Sequence, residues 1–431
     1  MHLLKWLYPG MRFKRWLFLF AVGVFMTGLG LAIVFNYKYL DSIEELLFYA
    51  VYTWTGSYNY TVTSIVGIGV VLFGLCTMLL ATRMIIRSLI TALVPDKSER
   101  LVDMIYEHRR LDKGPNVTVV GGGTGLSVLL RGIKEVTRNA TAVVTVADDG
   151  GSSGRLREEF NVIPPGDLRN CLVALADTEP MMEKLFQYRF SGNSDLAGHS
   201  FGNLFITAMT EVTGDIEQAL KESSRVLAVK GQVFPATTAK VRLSATMEDG
   251  TIVDGESQIP LVHKKVQRVH IFPHHVEAVP SALKAIKEAE IIVLGPGSLY
   301  TSVIPNLLVD DIAEAIRKSN AIKVYICNVM TQPGETDNYT ASMHLQALIE
   351  HGGKDIVDYV LVNDKEISAE MKDFYAQKGQ YPVFVDEHAI ENLGVKCFKA
   401  DIIDDSQMIH HDSLKLAQNV MKIYHNLQRE N

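Results

Sequence analysis

Two runs without a charged residue stand apart from the rest of the chain, Trp16–Phe35 with 20 residues and Thr61–Thr82 of similar length. At about 1.5 Å per residue each covers roughly 30 Å, the thickness of a bilayer's hydrocarbon core, so they predict transmembrane helices over about 16–36 and 61–82. Lys5, Arg12, Lys14 and Arg15 precede the first run, and Arg83 and Arg87 follow the second. The loop between them carries Lys38 with Asp41, Glu44 and Glu45. Basic flanks stay inside, so residues 1–87 are expected to form a two-pass cell-membrane anchor, with both termini and the rest of the chain cytoplasmic. The first run is too long for the core of a signal peptide, and no small-residue cleavage site follows at Asn36-Tyr37-Lys38-Tyr39. Leu101, Met104, Ile105, His108 and Leu111 then recur at helical spacing, predicting a connector helix within 88–115.

From residue 116 the pattern changes to short β-branched runs alternating with helical periodicity. Val117–Val120, Ala142–Val146, Ile291–Leu294, Lys323–Val329, Tyr359–Val362 and Val383–Val385 read as strands. Leu126–Val136, Ala278–Glu288, Leu307–Lys318 and Met343–His351 read as helices. This alternation predicts an α/β fold over 116–431 with a mostly parallel sheet covered on both faces. Asp167–Asp177, Met181–Phe190 and Leu204–Val212 read as successive helices, an insertion into that order. Lys240–Met247 and Thr251–Gly255 flank Glu248-Asp249-Gly250, the signal of a small antiparallel hairpin.

Composition narrows the classes. Hydrophobic residues are 47% of the 431, which excludes a disordered chain, and the formal charge of −7 argues against a nucleic-acid partner. The four cysteines, 76, 171, 327 and 397, form no metal or disulfide pattern.

The candidate chemistry lies in turns. Gly121-Gly122-Gly123-Thr124-Gly125 follows an apolar strand and opens a helix, where a phosphate finds close backbone approach, free N–H groups and the Thr124 hydroxyl. Leu126 replaces the third glycine of a dinucleotide fingerprint, and no lysine follows as in a Walker loop. After the second strand, Asp148 and Asp149, with Gly150, are placed to bind a ribose or to hold Mg2+ against a phosphate; a solvated turn is the bland alternative. Arg155 and Arg157 follow and could meet a phosphate. Asp167 opens a helix, either as its N-cap or as a site residue. Gly295, Gly297 and Ser298 form a second anion-binding turn, and Asn328–Thr336 a further wall, all converging at the carboxyl edge of the sheet. Neither His274-His275 nor His410-His411 makes a metal clamp, and hydrolase and metalloprotease signatures are absent.

Six of these segments, in order, carry a family resemblance: Gly121–Gly125, Ala147–Arg157, Pro164–Asn170, His199–Leu204, Gly295–Ser302 and Asn328–Thr336. Together they resemble the YvcK/GlmR branch of the CofD-like superfamily, long labelled gluconeogenesis factor, over roughly residues 115 to 428. With its two apolar runs the chain is similar to the membrane-anchored variants of that branch. The resemblance implies a Rossmann-like domain that binds a nucleotide-sugar such as UDP-N-acetylglucosamine (UDP-GlcNAc), with NAD(P) binding also attributed to the family. It implies support of cell-wall precursor supply and cell shape during gluconeogenic growth. By the same similarity Gly122–Leu126 line the nucleotide phosphates, with Asp148, Asp149 and Asn203 beside them. Tyr375 matches a C-terminal tyrosine that holds the sugar nucleotide, and His410 stands where the branch has an arginine.

Two functions follow as expectations. One is a ligand-sensing regulator that relays precursor status to a partner such as glucosamine-6-phosphate synthase, in a homo-oligomer. The other is a Mg2+-dependent nucleotidyl or phosphoryl transferase, with Asp148, Asp149 and Asp167 on the metal and Arg155 on the developing charge. CofD itself transfers phospholactate to a deazaflavin. The Gly150–Gly154 run belongs to the YvcK branch instead and disfavours that reading, and a nicotinamide oxidoreductase rests only on the strand-glycine-helix analogy.

Overall fold

Both long apolar runs become helices. The computed structural model describes residues 14–35, 60–93, 109–177, 180–404 and 408–430, with single positions at 49, 52, 53, 56 and 106. It divides into two units, Met1–His108 and Arg109–Asn431.

In the first unit, helix α1 is Lys14–Phe35 and helix α2 is Tyr60–Leu93. Each contains a window long and apolar enough to cross a membrane, Arg15–Val34 and Ser64–Ser88. The second helix outruns its expected end at 82, because Arg83 and Arg87 interrupt the apolar run without interrupting good helix formers. It therefore takes up residues 88–93 of the expected connector helix. Leu101, Met104, Ile105 and His108 lie outside the described residues, as does the loop with Lys38, Asp41, Glu44 and Glu45. The helices run antiparallel along a glycine seam. A Cβ added to Gly30 would sit 2.7 Å from the Val71 amide nitrogen, and one on Gly74 would sit 2.6 Å from that of Thr27. Phe18, Phe25, Phe73 and Leu79 stay exposed on the other faces, where a bilayer would solvate them.

The second unit begins its sheet with β1 (Val117–Gly121), buried at every position. Helix α3 (Gly123–Ile133) and β2 (Ala140–Val144) follow. The helical insertion comprises α4 (Gly151–Phe160), α5 (Gly166–Leu175), α6 (Pro180–Gln187), α7 (Phe201–Thr213) and α8 (Ile216–Val226). Strand β3 (Gln232–Pro235) returns to the sheet. The hairpin strands β4 (Arg242–Met247) and β5 (Ile252–Asp254) gain a third partner, β6 (Val266–Phe272), in the order β5-β4-β6. A register shift at Thr246/Met247 spaces the buried Val266 and Val269 three apart, which hides β6 from a period-two reading.

Four further strands complete the large sheet: β7 (Ile291–Leu294), β8 (Ile322–Ile326), β9 (Tyr359–Asn363) and β10 (Lys396–Ala400). Its order is β10-β9-β8-β7-β1-β2-β3, with every pairing parallel. The α/β, mostly parallel architecture with an inserted helical layer and a small antiparallel sheet is thus the one observed. Val383–Val385 is not a strand of it; Phe384 makes only an isolated bridge to Thr340, and the preceding Pro382 one to Met330. The expected helix Leu307–Lys318 is divided into Ile304–Leu307 and α9 (Ile312–Lys318), with Asp311 between them in a left-handed conformation.

Candidate functional site

Strands β1 and β7 are neighbours, yet the chain leaves β1 toward β2 and leaves β7 toward β8. Their carboxyl-end loops therefore part, opening a crevice at the switch point of the sheet. It is a cleft of about 530 Å³. Its walls come from Gly123–Gly125, Asp148, Asp167, Glu256, the Pro296–Ser298 turn, Asn328–Met330 with Gln332, and Ile409–His411.

The two glycine turns meet main chain to main chain. A Cβ on Gly125 would lie 2.7 Å from the Pro296 carbonyl oxygen, and one on Gly297 would lie 3.1 Å from that of Gly122. Buried Asn306 fastens the junction from beneath, donating through Nδ2 to the carbonyls of Gly121 at 3.2 Å and Ser302 at 2.9 Å. Gly121, Gly122 and Leu126 consequently lie buried under the cleft rather than lining it, and so does Gly295. What remains at the surface is the start of α3, where the Thr124 and Gly125 amides have no acceptor one turn back. The Gly123 amide is already engaged, donating to Asp167 Oδ2 at 2.7 Å.

That contact corrects the capping expectation for Asp167. It sits inside α5, whose N-cap is Pro165, and its carboxyl reaches across to the glycine turn. Burial and the neighbouring Asp148 push it up to about 6, against the opposing Gly123 bond. Asp148 lines the cleft, with Oδ1 accepting from the Gly150 amide at 2.9 Å. Asp149 does not line it. Its two oxygens accept the backbone amides of Glu256 and Ser257, each at 2.9 Å, so it holds the small sheet's loop in place.

The other expected residues divide in the same way. Ser298 accepts from Gln332 Nε2 at 2.8 Å, and Gln332 in turn accepts from Asn328. Arg155 is exposed and donates to the Ala197 carbonyl, outside the lining. Asn203 is buried in a network with Arg169 and Ser152. Tyr375 is buried behind the cleft, its hydroxyl accepting the Ile409 amide at 3.0 Å. It thereby braces the short strand β11 (His410–His411) that presents His410 and His411. His410 lines the cleft beside Ile409.

Glu256 escaped the sequence reading, and His411 entered it only as half of a histidine doublet without a site role. Glu256 enters the cleft from the small sheet, and burial with Asp148 and Asp149 nearby pushes it up to about 8. His411 Nε2 is buried with no hydrogen-bond partner, and burial depresses the ring to about 4. No local motif marks Glu256.

Among the described residues, no three Asp, Glu, His or Cys side chains form a group that could hold a metal by itself. Mg2+ needs less, one or two carboxylates completed by phosphate oxygens and water, and Asp148 with Asp167 fits that donor set. The cleft lining includes neither lysine nor arginine, so its charge favours such a cation.

A parallel sheet with its crevice at the switch point, floored by a glycine-rich helix start, defines a Rossmann-like α/β protein. A family model described as 2-phospho-L-lactate transferase CofD matches residues 117–403, and the chain belongs to that family. A relative from Halalkalibacterium halodurans named gluconeogenesis factor is 52% identical over 311 residues, 72% of this chain and 97% of its own. One from Nostoc sp. bearing the gluconeogenesis factor name is 49% identical over 424 residues, 97% of this chain and 92% of its own. A crystal structure of a Bacillus halodurans protein superposes with a TM-score of 0.70 at 52% identity, covering 72% of this chain and all of the other. The chain thus stands with the YvcK-branch relatives that carry this name, which supports a regulatory or phosphotransferase-like role.

Proposed function

We propose that the chain is a nucleotide-sugar-binding regulatory protein. It takes a ligand of the UDP-GlcNAc kind in the switch-point cleft and supports cell-wall precursor supply and cell shape during growth on gluconeogenic carbon. The observation that carries this reading is the cleft itself, where the free amides of Thr124 and Gly125 offer a diphosphate its main-chain donors. Among the described residues, the nearest approach to a nucleophile and base is Ser152 Oγ to His199 Nδ1 at 3.0 Å. Both residues are buried outside the lining, and Ser152 already accepts from Asn203, so the pair serves packing. Glucosamine-6-phosphate synthase is the proposed partner, and α1 and α2 are the proposed two-pass anchor that keeps the domain on the cytoplasmic side. A homo-oligomer belongs to the same proposal.

A second reading, a Mg2+-dependent nucleotidyl or phosphoryl transferase, is favoured by Asp148 and Asp167 facing the same cleft. When bound there, Mg2+ would neutralise diphosphate oxygens between the two carboxylates. Asp167 also fixes the Gly123 amide, and so the orientation of the helix start, whichever reading holds. Arg155, the candidate for the developing charge, donates to the Ala197 carbonyl and stands outside the cleft lining.

Titrating the full-length chain in detergent with UDP-GlcNAc, with and without Mg2+, tests the pair alongside a turnover assay on UTP and N-acetylglucosamine 1-phosphate. Binding without turnover is expected. Turnover that Asp148→Asn abolishes would replace the regulator with the transferase, and no binding under any condition would refute the nucleotide-sugar reading.

A further inference from the structure

The cleft lining holds neither lysine nor arginine, so the protein meets an anion there with neutral donors. The Thr124 and Gly125 amides are two of them, and the segment after the second glycine turn holds a third. Ser302 lines the cleft while only 8% exposed, and its hydroxyl makes no hydrogen bond among the described residues. The hydroxyls beside it are engaged: Thr301 donates to Glu335 at 3.1 Å, and Ser298 accepts from Gln332 at 2.8 Å. A nearly buried hydroxyl normally has a partner, so one that opens on a cleft without a partner points to a ligand atom.

The backbone fixes where that hydroxyl stands. Leu299–Val303 is a π-turn, in which the Val303 and Ile304 amides donate five residues back, to the Ser298 and Leu299 carbonyls. Pro305 follows and has no N–H for the Thr301 carbonyl, so an α-helical ladder cannot run through this stretch. Asn306, bonded to the Ser302 and Gly121 carbonyls together, ties the wide turn to the end of β1. Ser302 is thereby held between the two glycine turns. A Cβ on Gly297 would lie 3.4 Å from Ser302 Cβ. One on Gly123, whose backbone is left-handed at φ 68°, would lie 3.4 Å from Ser302 Oγ, with no other heavy atom outside its own helix start within 4 Å. That open space is bounded by the hydroxyl on one side and by the start of α3 on the other. We propose that Ser302 anchors the ligand's diphosphate, its hydroxyl donating to a nonbridging oxygen of the phosphate that the Thr124 and Gly125 amides also hold. The inference rests on the nucleotide-sugar reading and names the side chain that completes its anion site. The hydroxyl keeps its proton and no covalent bond changes.

The test is calorimetry of the full-length chain in detergent at fixed pH and Mg2+, with UDP-GlcNAc and with UDP, beside the melting temperature of the ligand-free protein. Ser302→Ala should weaken both ligands by about tenfold, the loss of one hydrogen bond to a charged group. Ser302→Cys keeps nearly the same shape with a much poorer donor, and should weaken both as far as the alanine does. Neither variant should melt below wild type without ligand, because the hydroxyl has no partner to lose in the free protein. Wild-type affinity in Ser302→Ala overturns the inference while leaving nucleotide-sugar binding intact. A cysteine variant that binds like wild type overturns it too, by making the side chain's shape the cause. So does a lower melting temperature in the free variants, which gives the hydroxyl a structural partner. A loss seen with UDP-GlcNAc but not with UDP moves the contact to the sugar and refutes the diphosphate anchor. Failure of the wild type to bind either ligand removes the underlying reading and this inference together.

Discussion

Gly125 shows how one absent methyl group holds a site open. A Cβ there would meet a main-chain carbonyl, which no rotamer change can move aside. Gly125→Ala should therefore push the two turns apart, costing about 1–3 kcal/mol and abolishing nucleotide-sugar binding; thermal unfolding and titration read both effects. Asp149 works through its neighbours. Asp149→Ala leaves two loop amides without their acceptor, and hydrogen exchange at Glu256 and Ser257 should accelerate with a loss of about 1–3 kcal/mol. At this scale the sequence told which turns matter but not which side chains face the cleft. Asp148 and Asp149 are indistinguishable as letters, and only the loop after β5 decides that the second faces away. Tyr375, assigned to the ligand only by the family resemblance, has its hydroxyl bonded to the Ile409 backbone, a contact no sequence pattern announces.

Among elements, the loop after β8 carries an unusual electrostatic load. Glu335 is 5% exposed, accepts from Thr301 Oγ1 at 3.1 Å, and is pushed by burial up to about 7. Its folded-state value lies above the ordinary 4.5, so the folded protein holds this proton more tightly than the unfolded chain. The resulting stability is complete below about pH 4.5 and is lost as pH rises through about 7, with an upper bound of about 3 kcal/mol. Glu335→Gln should flatten that decline, so the variant melts above wild type at pH 8; equal melting at pH 8 would contradict this. The strands at the centre of the sheet were legible because parallel strands buried on both faces read as unbroken apolar runs. Edge strands β3 and β10 were not, since each pairs on one side only and mixes polar residues into its run. Pro382 and the bridges around it account for the false strand at Val383–Val385.

For the whole molecule, charge-free length was enough to mark the two N-terminal helices, whereas their packing was invisible without three dimensions. Gly28 and Gly30 are two positions apart on one helix, yet a Cβ on Gly28 would meet nothing within 4 Å. Gly30→Leu should separate the helices and weaken protection of α1 and α2 in hydrogen exchange of the detergent-solubilised chain, while Gly28→Leu should leave it as in wild type. In the other unit, the crevice borrows its walls from segments as distant in sequence as Thr124 and His411. Any molecule lodged there sutures early and late parts of the chain, so occupancy must register as a rise in the melting temperature of the entire unit. At a hundredfold excess over Kd the gain is about 2.7 kcal/mol, large enough to let a thermal-shift screen of metabolites choose the natural occupant without prior assumption about its identity.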